Sequence, residues 1–117
     1  MKLKLGKILE MKEPLARLTN EQLPLKIAFR LNKLIKALDE NLNIIESERV
    51  KLVQKLGEQN TEGNVQVPKD KIPQFQEEYV ELLNEEVEIE FTPFDLEKFE
   101  NVKITTQDML KLEVLFE

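Results

Sequence analysis

Leu31, Leu38, Ile45 and Leu52 stand seven residues apart, and Ile35, Leu42 and Leu56 form a second row at the same spacing, with Arg49 in its one gap. Two apolar rows four residues apart describe a single stripe along one α-helix. The helix is predicted over residues 23–57. Pro24 suits its first turn, and Gly57 is a residue favoured just past a helix end. At 1.5 Å per residue such a helix is roughly 50 Å long. In a chain of 117 residues, which argues for a single domain over 1–117, other segments must lie along it.

The first candidate follows an exposed turn at residues 59–64, after which Val65 and Val67 suggest a short extended piece. Ile72, Phe75, Tyr79 and Leu82 then recur at steps of three, four and three, joined by Leu83, which predicts a helix over 69–85 with Pro73 in its first turn. A reversal between the two helices makes an antiparallel hairpin. It places Arg49 where Glu77, Glu78 or Glu81 of the returning helix is expected to meet it. Strict alternation marks strands over 1–6 and 86–91, with lysines outward on one and glutamates outward on the other, so the two are expected to pair. Val102 and Ile104 suggest a third strand over 102–105. Helices are predicted over 7–19, interrupted or kinked by Pro14, and over 106–116, opened by a capping box of Thr105 with Asp108. The fold class is therefore α+β, mainly α: a long antiparallel helical hairpin with short helices and a small two- to three-stranded sheet. Ile27, Leu34, Ile44 and Val53 lie on the long helix outside the stripe. They dock either the terminal helices or another copy of the chain, so a homo-oligomer is open.

Composition excludes much chemistry. Without cysteine or histidine there is no disulfide scaffold, no thiolate nucleophile, no cysteine-bound zinc and no imidazole base. Ser47, the only serine, has no base to activate it, and three glycines build no phosphate-cradling loop. Glu85, Glu86, Glu88 and Glu90 crowd together, but on the solvent side of a strand nothing raises a carboxyl pKa, and no loop has the oxygen spacing of a calcium site. No catalytic residue, cofactor or metal is expected. No apolar run approaches the ~18 residues that span a bilayer, and the start lacks a signal-peptide apolar region, so no membrane partner is expected.

Charge is the remaining signal. Residues 1–56 carry twelve Lys/Arg against seven Asp/Glu, while residues 57–117 carry five against sixteen. Either the halves attract each other within one fold, or one surface is an electrostatic docking face. Lys26, Arg30 and Lys33 line one helical face that suits phosphates, but it lacks interleaved aromatics and the protein is acidic overall, so nucleic acid is not the expected partner.

The run Leu23-Pro24-Leu25-Lys26-Ile27-Ala28-Phe29-Arg30-Leu31-Asn32-Lys33-Leu34 resembles the opening of a small protein family of phages and prophages of Gram-positive bacteria. Glu48-Arg49 before Lys55-Leu56-Gly57, the alternation at 86–91, and Ile104-Thr105-Thr106-Gln107-Asp108-Met109-Leu110 are similar to later parts of the same pattern. The resemblance covers nearly the whole chain. It implies a phage origin and expression in the host bacterial cytoplasm, and it brings no activity and no catalytic residues. The expectation is a non-catalytic binding protein that engages a host protein such as a defence or replication factor. Virion assembly as a tail or head accessory protein, and nucleic-acid binding or DNA mimicry, are the alternatives. The candidate contact residues are Glu77, Glu78, Glu81, Glu88 and Glu90 on the acidic side and Lys26, Arg30 and Lys33 on the basic side.

Overall fold

The computed structural model describes residues 1–116. The chain runs β1 (Lys2–Lys4), α1 (Leu5–Leu18), α2 (Leu25–Leu56), β2 (Glu58–Gln59), β3 (Val65–Gln66), α3 (Ile72–Leu83), β4 (Glu86–Glu88) and α4 (Thr106–Leu112). Single 3-10 turns lie at Lys69–Lys71, Leu96–Phe99 and Glu113–Leu115. The architecture is α+β and mainly α, with two small antiparallel sheets of two strands each. No described helix is long and apolar enough to cross a membrane.

The ladder on α2 is buried as its spacing demands: Leu31, Leu38, Ile45 and Leu56 are inside, and Ile35, Leu42 and Leu52 are half-buried. Two helices cover it, laid end to end and both antiparallel to it. Along the first half lies α1, with Ile8, Lys12 and Leu15 facing Leu42, Asp39, Leu38 and Ile35 across a shallow groove. Along the second half lies α3, with Lys55 Nζ 2.9 Å from Glu78 Oε1. The two covering helices number 14 and 12 residues against 32 in α2. Their combined rise of ~39 Å is close to its ~48 Å. They abut at Gly6, where a side-chain carbon would stand 3.2 Å from the Leu83 carbonyl oxygen, so only glycine permits this approach without displacement.

The two strands expected to pair do so, antiparallel, with Lys2 opposite Glu88, Leu3 opposite Val87 and Lys4 opposite Glu86. Lysines on one strand thus face glutamates on the other. The second sheet is a tight hairpin of β2 and β3 turning at Gly63, the only described residue with positive φ, at 85°. On the opposite side of α1 from α2 packs α4, whose Leu112, with Leu115 after it, is fully buried.

Several expectations are corrected. The first strand, read as 1–6, stops at Lys4, because Leu5 is buried equally well as the first residue of α1 and its N–H bonds the Glu85 carbonyl at 2.9 Å. Helix α1 runs through Pro14 without interruption. The lost backbone bond is offset by burying the ring and its neighbours Met11, Leu15 and Leu18. Residues 102–105 form no strand: the Val102 N–H bonds Phe99 in a turn, and Val102 and Ile104 instead line a cleft. The last helix ends at Leu112 and tightens into a 3-10 turn, which lets the Phe94 N–H reach the Leu115 carbonyl at 2.8 Å. The strand read as 86–91 keeps ladder geometry only over Glu86–Glu88, plus an Ile89 N–H bond to Met1 O. Gly57 ends α2 in extended rather than left-handed backbone, at φ −82°. Its role is close approach, since a side-chain carbon there would overlap the Val53 carbonyl and lie 2.5 Å from Val65 Cγ1. Among the residues outside the ladder, Ile27 and Leu34 join the core, Val53 is half-buried, and Ile44 remains exposed.

Candidate functional site

The shared core stops at Ile45. Between residues 46 and 83 only Leu56 is buried, and α3 contains no buried residue. This segment is a two-helix arm, held by the half-buried Leu52, Phe75, Tyr79 and Leu82, with the Phe75 and Tyr79 rings 5.8 Å apart. It accounts for the elongated 53 × 28 × 23 Å shape. Between its helices lies a groove of about 250 Å³ with Leu52, Tyr79 and Leu82 inside and Lys51, Lys55 and Glu78 on the rim.

Arg49 does not meet the glutamates of α3. It donates to Glu46 on its own helix at 2.6 and 3.0 Å, because a partner three residues back is reached without crossing the groove. This bond holds the Glu46 carboxyl below its ordinary range. Lys55 and Gln74 take Glu78 instead. Glu77 and Glu81 are exposed on the outer side of α3 and enter no ion pair among the described residues. Val80, 54% exposed, stands with them.

The rest of the anticipated acidic face is divided. Glu88 sits 2.7 Å from the Met1 amino group, whose hydrogen bond holds its carboxyl below the ordinary range. Glu90 lies past the strand, beside Lys33 and Arg30 in an open cleft of about 570 Å³.

The basic stripe is also broken. Arg30 is structural: its guanidinium lies 4.7 Å over the Phe94 ring and donates to the Thr92 carbonyl at 2.7 Å. It fastens residues 92–94 to α2. Lys26 and Lys33 stay exposed, and beside them are two apolar residues that pattern reading passed over, Leu25 at 86% and Phe29 at 66% exposure. At 100° per residue Phe29 falls on the side of the helix opposite the ladder and Leu25 on its flank, and that offset was the available signal.

Two further features escaped the sequence reading. Asp108, expected only as a capping partner, is buried at 5% exposure and receives a two-pronged donation from Arg17, both bonds 2.7 Å. Its backbone N–H does bond the Thr105 hydroxyl at 3.1 Å, as the capping reading required. The Arg17 bond lowers the Asp108 pKa and raises that of Arg17. An acid in helical phase with Leu112 and Leu115 was the clue that a cation must meet it. The second feature is a cleft of about 390 Å³ among residues 96–116 and Leu18, lined by Phe99, Val102, Ile104 and Met109, with Glu97 and Glu100 as its only charged residues.

No buried side-chain nitrogen or oxygen among the described residues lacks a hydrogen-bond partner. The chain matches no known family model, no curated protein and no solved structure.

Proposed function

We propose that the chain is a non-catalytic protein-binding module, phage-encoded and acting in the bacterial host cytoplasm, which engages and modulates a host protein through the outer face of its arm. The observation that carries this reading is the arm itself. Residues 46–83 bury one side chain, and of their apolar residues only Tyr79, Leu82 and Leu83 pack against the shared core, so they add little to it and present a defined outer surface. On that surface Val80 stands among Glu77 and Glu81, an apolar point framed by charges, which suits the buried centre and polar rim of a protein interface. A basic partner surface fits these charges and approaches faster for them.

The nucleic-acid alternative is less favoured, because Arg30 is committed to Phe94 and the stripe loses its central cation. The test is affinity capture from infected host cells, comparing the natural protein with Val80→Asp and with Glu77→Lys combined with Glu81→Lys. These are exposed sites, so the fold should be retained. A host protein should be enriched by the natural chain and fall at least about tenfold with each variant. Equal recovery by the variants refutes the arm as the contact. Recovery of phage structural proteins alone transfers the reading to virion assembly.

A further inference from the structure

We propose that this chain self-associates head to tail, with Leu25 and Phe29 of one copy seated in the cleft lined by Phe99, Val102, Ile104 and Met109 of another. The inference is independent of what the arm binds.

The two surfaces are matched in shape and charge. Leu25 and Phe29 are one helical turn apart and are the two most exposed large apolar side chains described. Solvent-facing apolar pairs of this kind mark contact sites more often than isolated ones do. No acid occurs between Glu21 and Asp39, so the pair sits in a purely cationic stretch, with Lys26 and Lys33 exposed around it. The cleft has the opposite character. At about 390 Å³ it accommodates a phenyl ring and an isobutyl group, and both charged residues lining it are glutamates. Leu96 and Ile104 at its edge are 46% and 38% exposed, so its apolar interior is open to a neighbour. Lys98 and Lys103 are near in sequence but line no part of it. A second copy carries the required apolar and cationic knob.

The knob of one copy fills the cleft of the next, so two copies joined by one such contact leave one knob and one cleft free between them. That property supplies the test. Phe29→Glu destroys the knob and keeps the cleft; Glu97→Lys with Glu100→Lys reverses the cleft and keeps the knob. All three positions are exposed, so folding should survive, and circular dichroism checks it. In light scattering at about 0.5 mM, where even a weak contact is populated, the natural chain should exceed its 13.8 kDa monomer mass. Each variant alone should be monomeric. Their equimolar mixture should form a one-to-one dimer, because one contributes an intact knob and the other an intact cleft. The natural contact should weaken as salt rises. A monomeric natural chain, variants that assemble as it does, or a mixture that stays monomeric overturns the proposal. A monomeric natural chain whose cleft takes up a hydrophobic dye overturns it in favour of a small apolar ligand.

Discussion

Ile45 and Leu52 occupy the same row of the ladder, one step apart, and replacing each by alanine should have unequal costs. Ile45 is 2% exposed and lies at the edge of the shared core. Removing three carbons there forfeits ~2.4 kcal/mol of transfer free energy, and the enclosed cavity adds ~1–2 kcal/mol. The total of about 4 kcal/mol is a large part of the ~5–15 kcal/mol that holds a domain together. Leu52 is half-buried beside a groove open to solvent, so no sealed cavity forms and the loss is ~1 kcal/mol. With a conversion of ~4 °C per kcal/mol for a chain of this size, Tm should fall by ~15 °C for Ile45→Ala and by ~4 °C for Leu52→Ala. Calorimetry and urea unfolding measure the totals, and native-state hydrogen exchange locates them. Leu52→Ala should lower protection over residues 49–56 and 75–82 and leave the amides around Met11 and Leu112 unchanged. Equal losses at both positions, or arm amides that exchange only through global unfolding, would show that the core continues past Ile45 and refute the description of an arm.

The Asp108 carboxyl is held below its ordinary value of 3.8 by Arg17, so its stabilisation is present above the unfolded pKa and is lost as pH falls through the folded value. Asp108→Asn should therefore be less stable than the natural chain near neutrality, and the gap should close as pH drops from about 5 towards 2 in an acid-unfolding series. A gap independent of pH would contradict this. Gly57→Ala should cost about 1–3 kcal/mol through overpacking and shift the amide resonances of residues 58–66, as an NMR spectrum would record. Arg30→Ala should cost about 1 kcal/mol and loosen residues 92–94, read by hydrogen exchange. Arg30→Lys should recover only part of this, because an ammonium lacks the flat guanidinium that stacks on Phe94 and reaches Thr92 together.

The elements with the longest periodic signals were legible. The second half of the stripe, around Leu52, meets the returning row of Tyr79 and Leu82 as an antiparallel partner, while α1 takes the first half, and Lys2 and Lys4 face Glu88 and Glu86. What escaped depends on three-dimensional neighbours. Val102 and Ile104 alternate as a strand does, but two positions cannot say whether an edge is near enough to pair, and here a 3-10 turn precedes them. Arg49 had two sets of glutamates within reach, and the local one prevailed. Of the candidate contact residues, Glu77, Glu81, Glu90, Lys26 and Lys33 are exposed, whereas Glu78, Glu88 and Arg30 make bonds within the fold. Leu25 and Phe29 were hidden by their place within an apolar-rich stretch, where helical phase, rather than composition, separates inner from outer residues.

The pairing of Leu3 with Val87 has a kinetic consequence. The small sheet joins the start of the chain to a strand that follows both α2 and α3, so its first strand waits for most of the chain before it can find its partner. By contrast, α1 and α2 are joined by a short connection and can zip early, as can the hairpin at Gly63. Long loops close late because the entropy of joining their ends must be overcome first. The lysine and glutamate ladder is therefore expected to act as a terminal latch, closing over helices that have already found one another.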